Sequence, residues 1–423
     1  MTITKTITEV PAVPPPAPKA EPEQDYLLFQ PRGSKEWLRE KFDVVPTYLF
    51  RVFTSNSAGT TDDGWVKSHE AAHKTAWSKR DIFDWDDDSR VASMVFQHLR
   101  YRSGEVDDNL VSWTSSLLYA LHYMRILHHK HRVDWSDIKL LVIATTGLPR
   151  GVFVRDMDLI DAFAPHDSRL TDFGSLRRRK HPTLSGFYYF GEYISQGALK
   201  IMGKAQIVSA HDMLSAGLSR FSPDMINRVT IGTFEWSNEV IRQREGFCAP
   251  MKERPLTSKA EIESAICVGR LFGPYRLPVA ACLLATLPRQ AQDDDVLQAF
   301  RNAAFIDEEK QSCSPMQTTI VPYNTLPEVQ QFENIRQLIF MDTCLASVKD
   351  RLVEVELKLR HSIHQILCAT PGVNEPLRVE SGVATLVASC HDLHERLVSI
   401  MQLGQDLQKY VPNQEPEEPK TAP

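Results

Sequence analysis

Apolar positions fall into two regimes, short blocks before about residue 212 and helical stripes after it. Tyr48-Leu49-Phe50-Arg51-Val52-Phe53 is a β-rich run, and Asp137 to Thr145 contains Leu140-Leu141-Val142-Ile143, apolar enough for a strand buried on both faces. A third run covers Phe187 to Ile194. Between these runs the spacing predicts helices. One is opened by Asp62-Asp63 and runs through Ala72. Another is capped by Ser89 and puts Val91, Met94, Val95 and Leu99 on one face, and a third covers Ser116 to His128. After about residue 212 strand signals thin out, and Ala260 to Leu271 and Pro278 to Leu287 read as helices.

The clearest periodicity lies in the last 80 or so residues. Leu338, Met341, Leu345, Val348, Leu352, Val355, Leu359, Ser362 and Ile366 recur at alternating steps of three and four, the a/d seam of a coiled coil. Val383, Leu386, Cys390, Leu393, Leu397, Ile400, Gly404 and Leu407 repeat the spacing after a break from Thr370-Pro371-Gly372 to Pro376. Two helices joined by a short turn pair most simply as an antiparallel hairpin, which either docks on the body or serves as a self-association arm.

Composition adds limits to this picture. Residues 1–25 hold six of the 26 prolines and 411–423 hold four, so both ends read as unfolded tails. Each tail carries a net −2, which leaves only −2 of the chain's −6 for the body and no broad basic field for nucleic acid. The longest apolar run, Val279 to Leu287, is half the length of a membrane helix, so no membrane partner is expected. MTITKTITEV lacks an apolar core after a basic segment, so a standard signal peptide is not expected. The seven cysteines are odd in number, form no CxxC and all lie from Cys248 onward, which suits an intracellular protein of the cytoplasm or nucleus.

Two metal-like signals are weak. His69-Glu70-Ala71-Ala72-His73 matches HExxH, in which two histidines one turn apart bind zinc and the glutamate activates water. The downstream candidates for a third ligand, Asp84, Asp86, Asp87 and Asp88, form a loop-like acidic cluster, so an exposed helix is expected instead. His128-His129-Lys130-His131 lacks a supporting cysteine or carboxylate spacing, and no metal site is assigned.

A dispersed pattern carries more. Arg51 sits in the first β run, Ser112-Trp113-Thr114-Ser115 opens the third helix, and Glu192 lies in Phe187-Tyr188-Tyr189-Phe190-Gly191-Glu192-Tyr193-Ile194. In this order the residues resemble the Arg-Ser-Glu type of the ADP-ribosyltransferase superfamily. That family has an arginine on the first core strand, then a Ser-Thr-Ser-like element with an alanine eight residues beyond its first serine, as from Ser112 to Ala120. Its catalytic glutamate is followed five residues on by a turn like Gly197-Ala198-Leu199, and then by a closing strand like Lys204 to Val208. The stretches YLFRVFT, LVSWTSSLLYA and FGEYISQGALKI also look like an uncharacterised domain of fungal proteins.

The resemblance covers roughly 45–212 and implies an α+β fold, an ADP-ribosyltransferase-like split β-sandwich with helices. The expected organisation is a tail over 1–25, this domain over 26–212, an all-α region over 213–327, an antiparallel helical hairpin over 328–410 and a tail over 411–423. It implies NAD as cosubstrate, with Arg51, Ser112 and Thr114 binding it and Glu192 and Ser112 catalytic. The residue chemistry agrees. Breaking the nicotinamide–ribose bond develops positive charge that a carboxylate offsets, and a diphosphate suits the planar fork of an arginine. Each residue also has a structural explanation: an ion pair for Arg51, helix capping for Ser112 and Thr114, a solvated strand position for Glu192.

Two departures qualify the activity. Arginine-modifying members carry an acid where this chain has Phe190, so arginine is not the expected acceptor. Trp113 is bulky enough to narrow a nicotinamide pocket. The acceptor, protein or nucleic acid, is not specified, and an NAD glycohydrolase is an alternative. A second alternative is a catalytically inactive scaffold of the same fold, with self-association through 328–410. The basic run Arg177-Arg178-Arg179-Lys180-His181 reads as a solvated loop near the acceptor side.

Overall fold

The computed structural model describes residues 25–100, 108–181, 188–221, 236–290, 294–303 and 326–368, together with Val387, Ala388, His391 and Glu395. The tails, apart from Asp25, and the second heptad array lie outside the described residues.

The fold is mixed, an antiparallel sheet followed by helices. The strands are β1 (Tyr26–Leu27), β2 (Tyr48–Phe53), β3 (Thr60–Thr61), β4 (Trp65–Lys67), β5 (Leu110–Thr114), β6 (Lys139–Ala144), β7 (Val154–Arg155), β8 (Glu192–Lys200) and β9 (Ala205–Ser209). They run in the order β3-β4-β8-β5-β2-β6-β9, with β1 and β7 also paired to β8. The helices are α1 (His69–Ala72), α2 (Asp88–Leu99), α3 (Leu117–His129), α4 (Asp156–Phe163), α5 (Ser168–Arg178), α6 (Ala210–Met213), α7 (Trp236–Glu245), α8 (Lys259–Arg270), α9 (Arg276–Ala285), α10 (Asp294–Asn302) and α11 (Pro327–Cys368). Among the described residues no helix is long and apolar enough to cross a membrane.

Local chemistry explains where these elements depart from the sequence pattern. Asp62 does not open a helix; its Oδ1 accepts the backbone N–H of Gly64 and Trp65, both at 2.8 Å, and turns the chain from β3 into β4. Only the single turn His69–Ala72 is helical there, capped by Ser68. Helix α2 is capped by Asp87 rather than Ser89. Ser112 and Thr114 belong to strand β5, and α3 is capped instead by Ser116, which accepts the N–H of Tyr119. The aromatic run does not form a strand until Glu192, because Gly191 turns the chain at φ +72°, and a Cβ there would sit 2.4 Å from Ser115 Oγ.

The sheet opens between two strands. β2 pairs with β6 at every position from Tyr48 to Phe53, yet meets β5 only at Phe50 opposite Thr114. β5 in turn pairs with β8 throughout, Ser112 opposite Ile194 and Thr114 opposite Glu192. The sheet also curls, since Thr61 on β3, at the far end of the strand order, lies 3.4 Å from Arg51 Nε.

Alternation assigns the faces. Leu49, Phe53, Val111, Trp113, Leu141, Ile143 and Tyr193 bury against one side. Phe50, Leu140, Val142 and Val208 point to the other, packed under α3 and the helices from α7 to α11. On that same side α2, α4 and α5 cover Ile194 with a separate apolar cluster. The residues expected to form an independent helical region, such as Ile262, Val279 and Phe300, therefore share one core with Phe50 and Val142 of the sheet. The chain divides into a unit up to Thr343 and a second from Cys344 onward.

The first turns of α11 belong to the core of the first unit. Phe332, Ile335 and Ile339 are buried there, whereas Met341 of the expected seam is exposed. Further along, Val353 and Leu357 are exposed, and the seam side chains from Leu345 to Ile366 lie outside the described residues.

Candidate functional site

The two helical groups on one face of the sheet leave a polar seam above β5 and β8, to which four helices contribute a polar side chain. Ser112 and Glu192 rise from the strands on this side. His98 comes from α2, Tyr123 from α3, Asp156 from α4 and Arg177 from α5. Arg51, Ser112 and Tyr123 are half-buried, while Glu192, Asp108, Asp156 and Arg177 are buried.

Arg51, Ser112 and Glu192 lie on three neighbouring strands, but Arg51 leaves β2 on the face of Leu49 and Phe53, opposite the side chains of Ser112 and Glu192, and reaches Ser112 only through its backbone. Arg51 Nη1 donates to the carbonyl of Ser112 at 2.9 Å, across the opening between β2 and β5. Ser112 Oγ is 3.3 Å from Glu192 Oε1. The other Glu192 oxygen accepts from Arg177 Nη2. Tyr123 feels both charges: burial raises its phenol above the ordinary value, Arg51 opposes that shift and Glu192 adds to it.

Behind Glu192 lies a second carboxylate. Asp156 is fully buried at the start of α4, with Oδ1 accepting the N–H of Met157 at 2.7 Å. Its Oδ2 is 3.8 Å from Arg177 Nε. Burial pushes the Asp156 carboxyl up to about 7, against the pull of Arg177 and with help from the Glu192 charge. One arginine thus stands between two carboxyl groups, closer to Glu192 than to Asp156.

The sequence identified Ser112 but not its closest partner. His98 Nε2 lies 2.8 Å from Ser112 Oγ, and His98 Nδ1 lies 3.0 and 2.9 Å from the two oxygens of Asp108. The available signal was a polar residue four positions beyond Met94 and three beyond Val95, on the apolar face of α2.

Thr114 spends its hydroxyl locally, donating to the carbonyl of Phe190 at 2.9 Å and accepting the N–H of Ser116 at 3.0 Å. That geometry makes Thr114 a brace between β5 and the approach to Glu192 rather than a ligand-facing group. Trp113 corrects the expectation of a narrowed pocket. It points to the opposite face from Ser112, where its Nε1 donates to Ser195 Oγ at 2.9 Å and its ring meets Phe153 edge-on. Phe190 stacks on Tyr119 and lies under the guanidinium groups of Arg177 and Arg244.

The basic run is likewise not simply a solvated loop. Arg177 and Arg178 form the last turn of α5, with Arg177 buried against Glu192 and Arg178 paired with Asp161. The HExxH match is structural: Glu70 is buried and accepts from Thr75 Oγ1, while His73 Nδ1 contacts the carbonyl of His69 at 2.8 Å. His128 contacts the carbonyl of Val133 at 2.8 Å and stacks on Trp135. Among the described residues no group of three or more His, Cys, Asp or Glu is arranged to hold a metal ion.

Residues 44–174 match a family described as "Domain of unknown function (DUF7587)". No curated protein and no solved structure matches the chain. The matched span contains Arg51, His98, Asp108, Ser112, Thr114 and Asp156, and stops short of Arg177 and Glu192.

Proposed function

We propose that the region over roughly 45–212 is an ADP-ribosyltransferase-like domain that binds NAD and cleaves its nicotinamide–ribose bond. The observation that carries this reading is the link from Arg51 through Ser112 to Glu192 on adjacent strands, placed where β2 and β5 part. In this reading Arg51 lies against the diphosphate, as a fixed charge with a planar donor fork. Glu192 offsets the positive charge that develops on the ribose, and Ser112 holds it in place. The glycosidic C–N bond breaks with its electron pair moving to the nicotinamide ring nitrogen, and the ribosyl cation is captured by a protein or nucleic-acid acceptor or by water, which gives up a proton. With Phe190 in the place of an acceptor-activating acid, arginine is not the acceptor.

A second reading, an inactive scaffold of the same fold, is favoured by one specific feature. Both oxygens of Glu192 are engaged, one of them by the buried Arg177. Incubating the full-length chain with NAD decides between the two. The expected result is nicotinamide release that Glu192→Gln reduces by about 100-fold or more, with NAD binding retained in calorimetry. A folded wild-type chain that neither binds NAD nor releases nicotinamide overturns the enzyme reading in favour of the scaffold.

A further inference from the structure

Counting protons along the row Asp108, His98, Ser112 and Glu192 assigns a role to the first two. A carboxylate only accepts hydrogen bonds, so the His98 nitrogen facing both Asp108 oxygens carries a hydrogen. Asp108 is itself held in place: its Oδ1 accepts the N–H of Leu110 at 3.0 Å and its carbonyl accepts the N–H of Glu70 at 3.3 Å. The histidine and aspartate side chains are only 10% and 9% exposed, so water does not compete for this bond.

The other ring nitrogen, Nε2, then faces Ser112 Oγ at 2.8 Å, while Glu192 Oε1 is 3.3 Å from the same oxygen. Ser112 has a single proton to give. The hydroxyl donates to Glu192 Oε1 at the longer contact and faces Nε2 at the shorter one, so its hydrogen is shared between two acceptors.

We propose that His98, fixed by Asp108, is a positioning residue that holds the Ser112 hydroxyl in the orientation in which it also reaches Glu192 Oε1. The charged and titratable groups around this row are Asp108 ahead of β5, Glu192 on β8, Arg177 from α5 and Asp156 from α4 behind Glu192, Tyr123 from α3, and Arg51 across the opening between β2 and β5. The catalytic consequence rests on the NAD reading; the hydrogen-bond row does not.

Two measurements on the full-length chain test this. In 15N-histidine spectra, with His98 assigned by its loss in His98→Gln, the neutral ring is expected to carry its hydrogen on Nδ1. Asp108→Asn is expected to release that tautomer, and Ser112→Ala to shift Nε2. An Nε2–H tautomer in the wild type, or a ring indifferent to both substitutions, overturns the proposal whether or not the protein uses NAD. In the nicotinamide assay, His98→Gln and Asp108→Asn are expected to lower kcat about tenfold, the loss typical of removing a supporting partner, with KM for NAD unchanged. His98→Gln should add nothing further once Ser112 is alanine. A change confined to KM overturns the positioning role. A wild type without nicotinamide release sinks the NAD reading alone, because the spectra still decide the row.

Discussion

Arg177 shows how a residue's meaning changes with its surroundings. In the sequence it is the first of four adjacent cations; in the fold it is buried between Glu192 and Asp156. A lone guanidinium cannot fully satisfy two buried carboxylates, so the more deeply desolvated Asp156 holds its proton up to about 7. The sign of the stability effect follows. The unfolded chain ionises Asp156 near 3.8 while the folded chain keeps it protonated, so its contribution is fully present below about pH 4 and is lost as pH rises through about 7. His122 acts the other way. Burial and the nearby Arg125 lower it to about 4, so its contribution is present above about 6.5 and is lost as pH falls. Asp156→Asn carries the same His122, which cancels in the comparison. Urea midpoints are expected to show the variant gaining on the wild type as pH rises from about 4 to about 8. Parallel curves would mean that Asp156 is ionised in the folded protein.

At the scale of single elements, one residue of register decides which side chain meets the polar seam. On β5, Ser112 and Trp113 are neighbours in sequence and point to opposite faces, so the bulky indole leaves the serine side open and fills the far core instead. Helix α11 makes the same point with helical geometry. The buried Phe332, Ile335 and Ile339 and the expected seam starting at Leu338 and Met341 are both runs of three and four, offset by one residue or about 100° around the helix. Both stripes are apolar, so periodicity alone could not choose between them; the surface offered by Tyr48 and α9 does. Ile335→Ala is therefore expected to cost about 2–5 kcal/mol in chemical denaturation, while Met341→Ala changes stability by about 0.5 kcal/mol or less. Equal costs at the two positions would contradict this packing.

For the whole molecule, the sheet and most of the later helices share one hydrophobic core. Glu328 illustrates the tie: it accepts from Ser116 Oγ at 2.5 Å and from Arg244, whose Nη1 donates to the carbonyl of Tyr189 at 2.6 Å on the approach to Glu192. A deletion starting at 328 would strip a buried acid from Arg244 and the apolar cover from the core, so it cannot test self-association cleanly. Ending the chain after Thr343, at the break between the two units, avoids this. The 1–343 chain is expected to keep its near-UV circular dichroism and a single cooperative unfolding transition. A concentration-dependent mass in the full-length chain that vanishes in 1–343 would assign self-association to 344–423; loss of the near-UV signal would show that the first unit needs the second.

The sequence by itself determined the strands β2 and β6, the helices α2, α3, α8 and α9, and the order Arg51, Ser112, Glu192, because these rest on local periodicity and on side-chain chemistry that does not need a partner to be recognised. It misread 62–68 and 188–191, where Asp62 and Gly191 impose turns on chain that otherwise looks regular. Tertiary structure alone decided which groups surround the serine and the glutamate. His98, Asp108, Asp156 and Arg177 carry no shared spacing, and they meet only because α2, α4 and α5 stack on one face of β5 and β8. A hydrogen bond forms between atoms a few ångströms apart in space, and separation along the chain leaves no trace of it.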